Sequence, residues 1–153
     1  IATTTGANLF YADITRCTSA LTKNGSTAYS NITGLSQTVV AGTYRFRCVL
    51  PSTVAGGTEG IKYAFNYTTT VLTSIEATGM GYTSAAVAVQ HTTTTTTQTD
   101  LFTQAAVVLM TVLEGTMVVG TGGTIDLQMA QNTSGATNTV TLVGASMEFV
   151  RIA

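Results

Sequence analysis

Charge is scarce in this 153-residue chain: six Lys and Arg with seven Asp and Glu make up 8% of it, where an average soluble protein carries about a quarter. The four Arg and two Lys are scattered, so no basic stripe exists to neutralise a phosphate backbone, and nucleic acid is not an expected partner. Tryptophan is absent, which weakens a sugar-stacking role. The one histidine, His91, stands beside a threonine run with no carboxylate near it in sequence. It is read as a surface loop residue, since a Ser-His-Asp site would need it as an oriented base. Two cysteines, Cys17 and Cys48, are too few for a stapled framework, and with one histidine they have no zinc-ligand spacing. The seven carboxylates are dispersed, and no glycine cluster has phosphate-cradle spacing. The longest uncharged apolar run, Ala105 to Leu113, falls far short of the roughly 20 residues that cross a bilayer. No enzyme, cofactor, metal or membrane segment is therefore expected.

Hydroxyls replace the missing charge. About a fifth of the chain is Thr, a residue stiff at its first side-chain torsion that favours extended backbone. Apolar residues stand at an ordinary 44%, and fifteen Gly against one Pro punctuate the chain. Several short strands joined by Gly-, Asn- and Ser-rich turns follow, with no long amphipathic helix. The length suits one domain over residues 1–153, burying roughly two-thirds of its unfolded surface. The opening Ile1-Ala2-Thr3 lacks a Met and a charged-then-apolar leader, so the chain is expected to be processed or part of something longer.

Along the chain, Asn8 to Asp13 reads as a first strand and Lys23 to Ser26 as a turn. Residues 27–40 alternate weakly, with Ile32, Leu35 and Val39 as apolar anchors. Thr43 to Leu50 alternates cleanly, Tyr44, Phe46, Cys48 and Leu50 on one face and Thr43, Arg45 and Arg47 on the other. Cys48 thus reads as a buried thiol, with a disulfide to Cys17 left open. Pro51 should end that strand, since it cannot donate to a ladder. Ile61 to Tyr67, Val71 to Ala77, Ala85 to Gln90, Thr124 to Gln131, Thr139 to Val143 and Ala145 to Ile152 are further strands. The Thr92 to Thr97 run is expected as an exposed loop or edge segment.

The stretch from Gln104 to Leu113 differs. Ala106, Val108, Met110 and Val112 would fill one face of a strand there, and Val107, Leu109 and Leu113 the other. A strand apolar on both sides needs a second cover, either a neighbouring subunit or the chain's own loops.

Three segments, Gly115 to Val119, Gly123 to Asn132 and Gly144 to Ile152, resemble the closing strands of TNF/C1q-like jelly rolls found in virion proteins of tailed bacteriophages. Ile32 to Ser36 with Ala41 to Phe46 is similar to the early strands of that group. The resemblance implies an all-β, ten-stranded jelly-roll sandwich that packs as a homotrimer. It also implies a place on the virion, on the capsid exterior or the tail. It supplies no catalytic residues. Val107, Leu109 and Leu113, with Phe149 of the last strand, are the residues expected at the trimer interface. One departure is that such trimers usually set aromatics along their interface, whereas this stretch is aliphatic.

The expected function is that of a virion structural protein, a trimeric capsid decoration protein that binds the major capsid protein or another virion protein. The alternatives are a receptor- or glycan-binding module of a tail fibre or adhesin, and a secreted C1q-like signalling domain. The last is favoured only if the sequons at Asn24, Asn31, Asn66 and Asn132 carry sugar.

Overall fold

Threonine and its β-branched companions bias the backbone towards extended conformations, and in the computed structural model every helix or strand element is a strand. The structure describes residues 12–54, 58–67, 71–83, 86–94, 100–105 and 107–153. Among them are twelve strands: β1 (Ala12–Arg16), β2 (Leu21–Lys23), β3 (Ser30–Val39), β4 (Gly42–Val54), β5 (Ile61–Asn66), β6 (Leu72–Tyr82), β7 (Val87–Thr94), β8 (Phe102–Gln104), β9 (Met110–Val119), β10 (Gly123–Ala130), β11 (Thr139–Thr141) and β12 (Ser146–Arg151). The strand expected at Asn8 is represented by β1; residues 1–11 lie outside the described residues.

Two antiparallel sheets form a sandwich. The large sheet runs β1-β12-β4-β9-β6-β7, with β2 and β11 carrying the β1 and β12 lines along the far end of β4. The small sheet runs β3-β10-β5-β8. Pairing is nested: β1 with β12, β2 with β11, β3 with β10, β4 with β9 and β5 with β8, while β6 and β7 form a hairpin at the centre of the sequence.

The core fills the space between the sheets. Phe46 and Phe149 of the large sheet meet Phe65 of the small one at ring-centroid distances of 5.2 and 6.0 Å, a range in which aromatic pairs attract beyond their area. Tyr44, Phe46, Cys48 and Leu50 face inward from β4 while Arg45 and Arg47 are exposed, as their alternation predicts. Both cysteines are buried free thiols, and burial pushes both above the usual thiol range.

Three sequence expectations are corrected here, and a fourth is explained. Pro51 does not end β4, which continues to Val54. It sits where the neighbours change: opposite it β9 begins at Met110, and on the other side the chain passes from β11 to β12 through residues 142–145. A missing ladder donor costs little at such a junction. The weak alternation of residues 27–40 has a local cause. Gly34 takes a φ of +90°, and the β3–β10 register shifts between Ser36 and Asn31, so Ile32 and Leu35 are both buried although three residues apart. The three extra residues that β3 carries between those two pairs make this possible.

Gln104 to Leu113 is likewise not one strand. It comprises the end of β8 in the small sheet, a crossing link and the start of β9 in the large sheet. Finally, His91, expected in a surface loop, belongs by backbone to β7 in register with Thr78; Thr92 to Thr94 continue that strand at the edge of the large sheet, as the edge-segment expectation has it, and residues 95–97 lie outside the described residues.

Candidate interaction surface on the large sheet

The outward face of the large sheet is built in rows by strand register. Val49 of β4 lies opposite Val112 of β9, which lies opposite Met80 of β6, which lies opposite Val89 of β7. Two residues further along, Glu148, Arg47, Glu114 and Thr78 make the next row, and after it come Val150, Arg45, Thr116 and Glu76. The face is therefore apolar at one end and charged in the middle.

The charged part encloses an open depression of about 510 Å³ lined by Arg45, Arg47, Glu76, Thr78, Glu114 and Thr116. Arg47 has an acidic residue across from it on each side, Glu148 on β12 and Glu114 on β9. Cross-strand pairs of opposite sign contribute roughly 0.2–1 kcal/mol each. Such a band presents both signs to a partner, so it can recognise another surface of mixed charge. No group of three or more metal-ligating side chains occurs among the described residues.

The apolar part is held rigidly. Leu109 N–H donates to Tyr82 O (2.8 Å) and its carbonyl accepts from Ser52 N–H (2.9 Å), so the link after β8 is fastened to the ends of β4 and β6. Val108 points inward and is buried, with its carbonyl accepting from Ser52 Oγ at 3.1 Å. Its neighbours are thereby turned outward, Val107 at 37% exposure and Leu109 at 50%. On β7, Val87 and Val89 are 54% and 66% exposed. Val112 is buried yet stands outside the core cluster, between Val49 and Met80 on the outer face. Clustered exposure of this kind marks interaction surfaces, whereas single exposed apolar residues are ordinary.

Of the four residues expected at a subunit interface, Val107 and Leu109 are exposed, on the link that is fastened to Tyr82 and Ser52 at the apolar end of this sheet. Leu113 and Phe149 are elsewhere: both are buried in the chain's own core. The reason is strand parity, since Leu113 shares the inner side of β9 with Met117 and Val119, and Phe149 shares the inner side of β12 with Met147. Sequence reasoning missed Val87, Val89 and Met80. In β7 the residues that alternate with the two valines are Ala88 and Gln90, so the alternation there does not say which side is wet.

Two polar clusters lie away from this face. Tyr29 O–H donates to Asp100 Oδ1, and the Lys62 ammonium sits 4.7 Å above the Tyr29 ring. Burial first, and Asp100 second, push the phenol well above its ordinary range. Gln131 is fully buried, and its amide nitrogen donates to the carbonyls of Gly135 (3.2 Å) and Thr137 (2.6 Å). Both clusters fasten loops, and each polar group in them has its partner within the fold. No protein-family model matches the chain, and no curated protein matches it.

Proposed function

We propose that the protein is a structural component of a bacteriophage virion, a homotrimeric jelly-roll decoration protein that reinforces a capsid lattice and whose subunits associate through the outer face of the large sheet. The observation that carries this reading is the rigid apolar patch of Val107, Leu109, Val87 and Val89 beside a band of mixed charge. An exposed apolar surface bordered by polar residues is the usual anatomy of a protein interface. Topology supports the jelly roll: nested pairing is what rolling one long antiparallel hairpin into two sheets produces, and β6–β7 forms the tip of that hairpin. Counted with β1 and β2 as one interrupted strand and β11 and β12 as another, the twelve strands become ten. The sequence resemblance to phage jelly rolls supports the virion setting. Binding only the assembled lattice stabilises it by mass action.

The test is the mass of the purified chain by light scattering, followed by co-sedimentation with undecorated capsids. A trimer that sediments with capsids is the expected result. A stable monomer at all concentrations overturns the trimer, and a trimer that ignores capsids but binds cells overturns the decoration role in favour of a fibre tip.

A further inference from the structure

An open sheet edge offers unpaired backbone N–H and C=O groups to any other strand, and proteins blunt such edges with charge, brevity, bulges or a cover. Three of the four edges here are blunted. The β1–β2 edge carries Asp13, Arg16 and Lys23. β3 is bulged at Gly34, and the chain following β1 lies against it there, Thr18 N–H donating to Thr33 O at 3.1 Å. β8 has three residues, and its Thr103 N–H donates to Gln90 Oε1 at 2.9 Å.

The fourth edge, β7, has none of these devices among the described residues. It spans eight residues without a charged side chain or a proline, it is paired in unbroken register with β6 from Val87 to Thr94, and among the described residues β6 is its only strand partner. Five of the eight residues are β-branched, which suits them to a pleated surface.

We infer that β7 is a strand-addition site whose occupant is β7 of a second copy, joined antiparallel about a twofold axis so that two large sheets become one. Two arguments select a copy of this chain. First, an uncharged edge is compatible with itself, whereas two β1 edges would bring their own charges together. Second, a twofold at Val89 places Val89 against Val89 of the second copy, and the neighbouring Val87 of each copy joins the same strip. That strip is continuous with Met80 and Tyr82 on β6, which lie opposite Val89 and Val87, and so with the apolar patch already described. The inference rests on that patch being a self-association surface, and it adds a second contact of different symmetry. Where the twofold axes cross the threefold axis, a threefold contact and a twofold contact together close into a pair of trimers with twice the basic mass.

The experiment combines light scattering over a range of concentrations with amide hydrogen exchange on the intact chain. In the wild type, the alternate amides of residues 87–94 that β6 leaves free should gain protection as concentration rises, in step with a doubling of the basic particle mass. Val89→Lys changes an exposed position, so the chain should fold with an unaltered melting temperature. It sets two ammonium groups against each other at the axis and should abolish both the doubling and the added protection. Leu109→Asp should do the reverse, reducing the basic particle to monomers that still pair through β7. Protection that is independent of concentration means the edge is covered within one chain, and this overturns the inference. Protection that appears only when capsids are added means the strand comes from the scaffold, and this overturns the second copy as occupant. A trimer that never doubles overturns the inference while leaving the proposed function standing.

Discussion

Gly81 illustrates how a single missing side chain sets the packing of a neighbouring sheet. A β-carbon there would come within 2.2 Å of Cζ of Phe102, and one at Gly79 within 2.8 Å of the Phe102 β-carbon. The two glycines of β6 make the room in which the first side chain of β8 is buried. Gly81→Val should therefore cost about 1–3 kcal/mol as overpacking, read as a lower urea midpoint at unchanged slope. Combining it with Phe102→Leu should cost less than the sum of the two single changes, because neighbouring changes couple when one relieves the other. A strictly additive result would mean that the ring is not what fills the space. Nothing in the spelling Gly79-Met80-Gly81 announces this. The glycines look like loosened strand, and their purpose lies in a side chain from another element more than twenty residues away.

Among the elements, the loop of residues 131–138 is held almost entirely by polar groups. Gln131 Oε1 accepts from Ser26 N–H at 3.0 Å, Thr133 N–H donates to Glu59 O at 2.8 Å, and Thr137 Oγ1 donates to Glu59 Oε1 at 2.6 Å. The hydroxyl of Thr137 holds the Glu59 carboxyl below its usual value of 4.5. A carboxylate whose pKa is depressed by folding stabilises the fold above its unfolded pKa, and that contribution is lost as pH falls through the folded value. The wild type should therefore outlast Glu59→Gln in thermal melts at neutral pH, and the difference should shrink as pH drops below about 4.5. A difference that stays constant from neutral to acid pH would assign the effect to shape and not to charge.

The elements themselves were legible wherever one face is wet. β4, β5 and β10 were readable from alternation because Arg45, Arg47, Lys62 and Thr124 mark the outer side. β3 was blurred by its bulge, and the segment after Gln104 was misread because both of its sides are apolar. Alternation records sidedness and not direction, so a link that crosses from one sheet to the other reads like a strand with two dry faces. The same ambiguity put Leu113 among the surface residues and left Val87 and Val89 out. Half of the candidate surface was thus visible in the sequence, and the other half depended on which strands end up side by side.

At the scale of the whole molecule, adjacent residues separate folding from assembly. Val108 is buried and Leu109 is half exposed. Val108→Asp forces a carboxylate into an apolar site with no cation to receive it, at a cost of several kcal/mol, and should yield protein that fails to fold. Leu109→Asp should leave the circular dichroism spectrum and thermal midpoint near those of the wild type while lowering the assembly mass. Two folded variants of wild-type mass would remove the patch from any role in association.

The nested pairing also sets a timetable. Ala12 of β1 pairs with Val150 of β12, and β4 lies between β12 and β9, so the large sheet cannot close until almost the entire described chain exists. Non-local pairing of this kind places folding in the slow range, roughly milliseconds to seconds. As the chain is synthesised from its N-terminus, Phe46 and Phe65 emerge well before Phe149, which later packs against both. For that interval the most aromatic part of the core lacks its third ring and is exposed to aggregation. The yield of soluble protein should consequently depend on how fast β9 to β12 follow, a constraint on the rate of synthesis that comes from strand order alone.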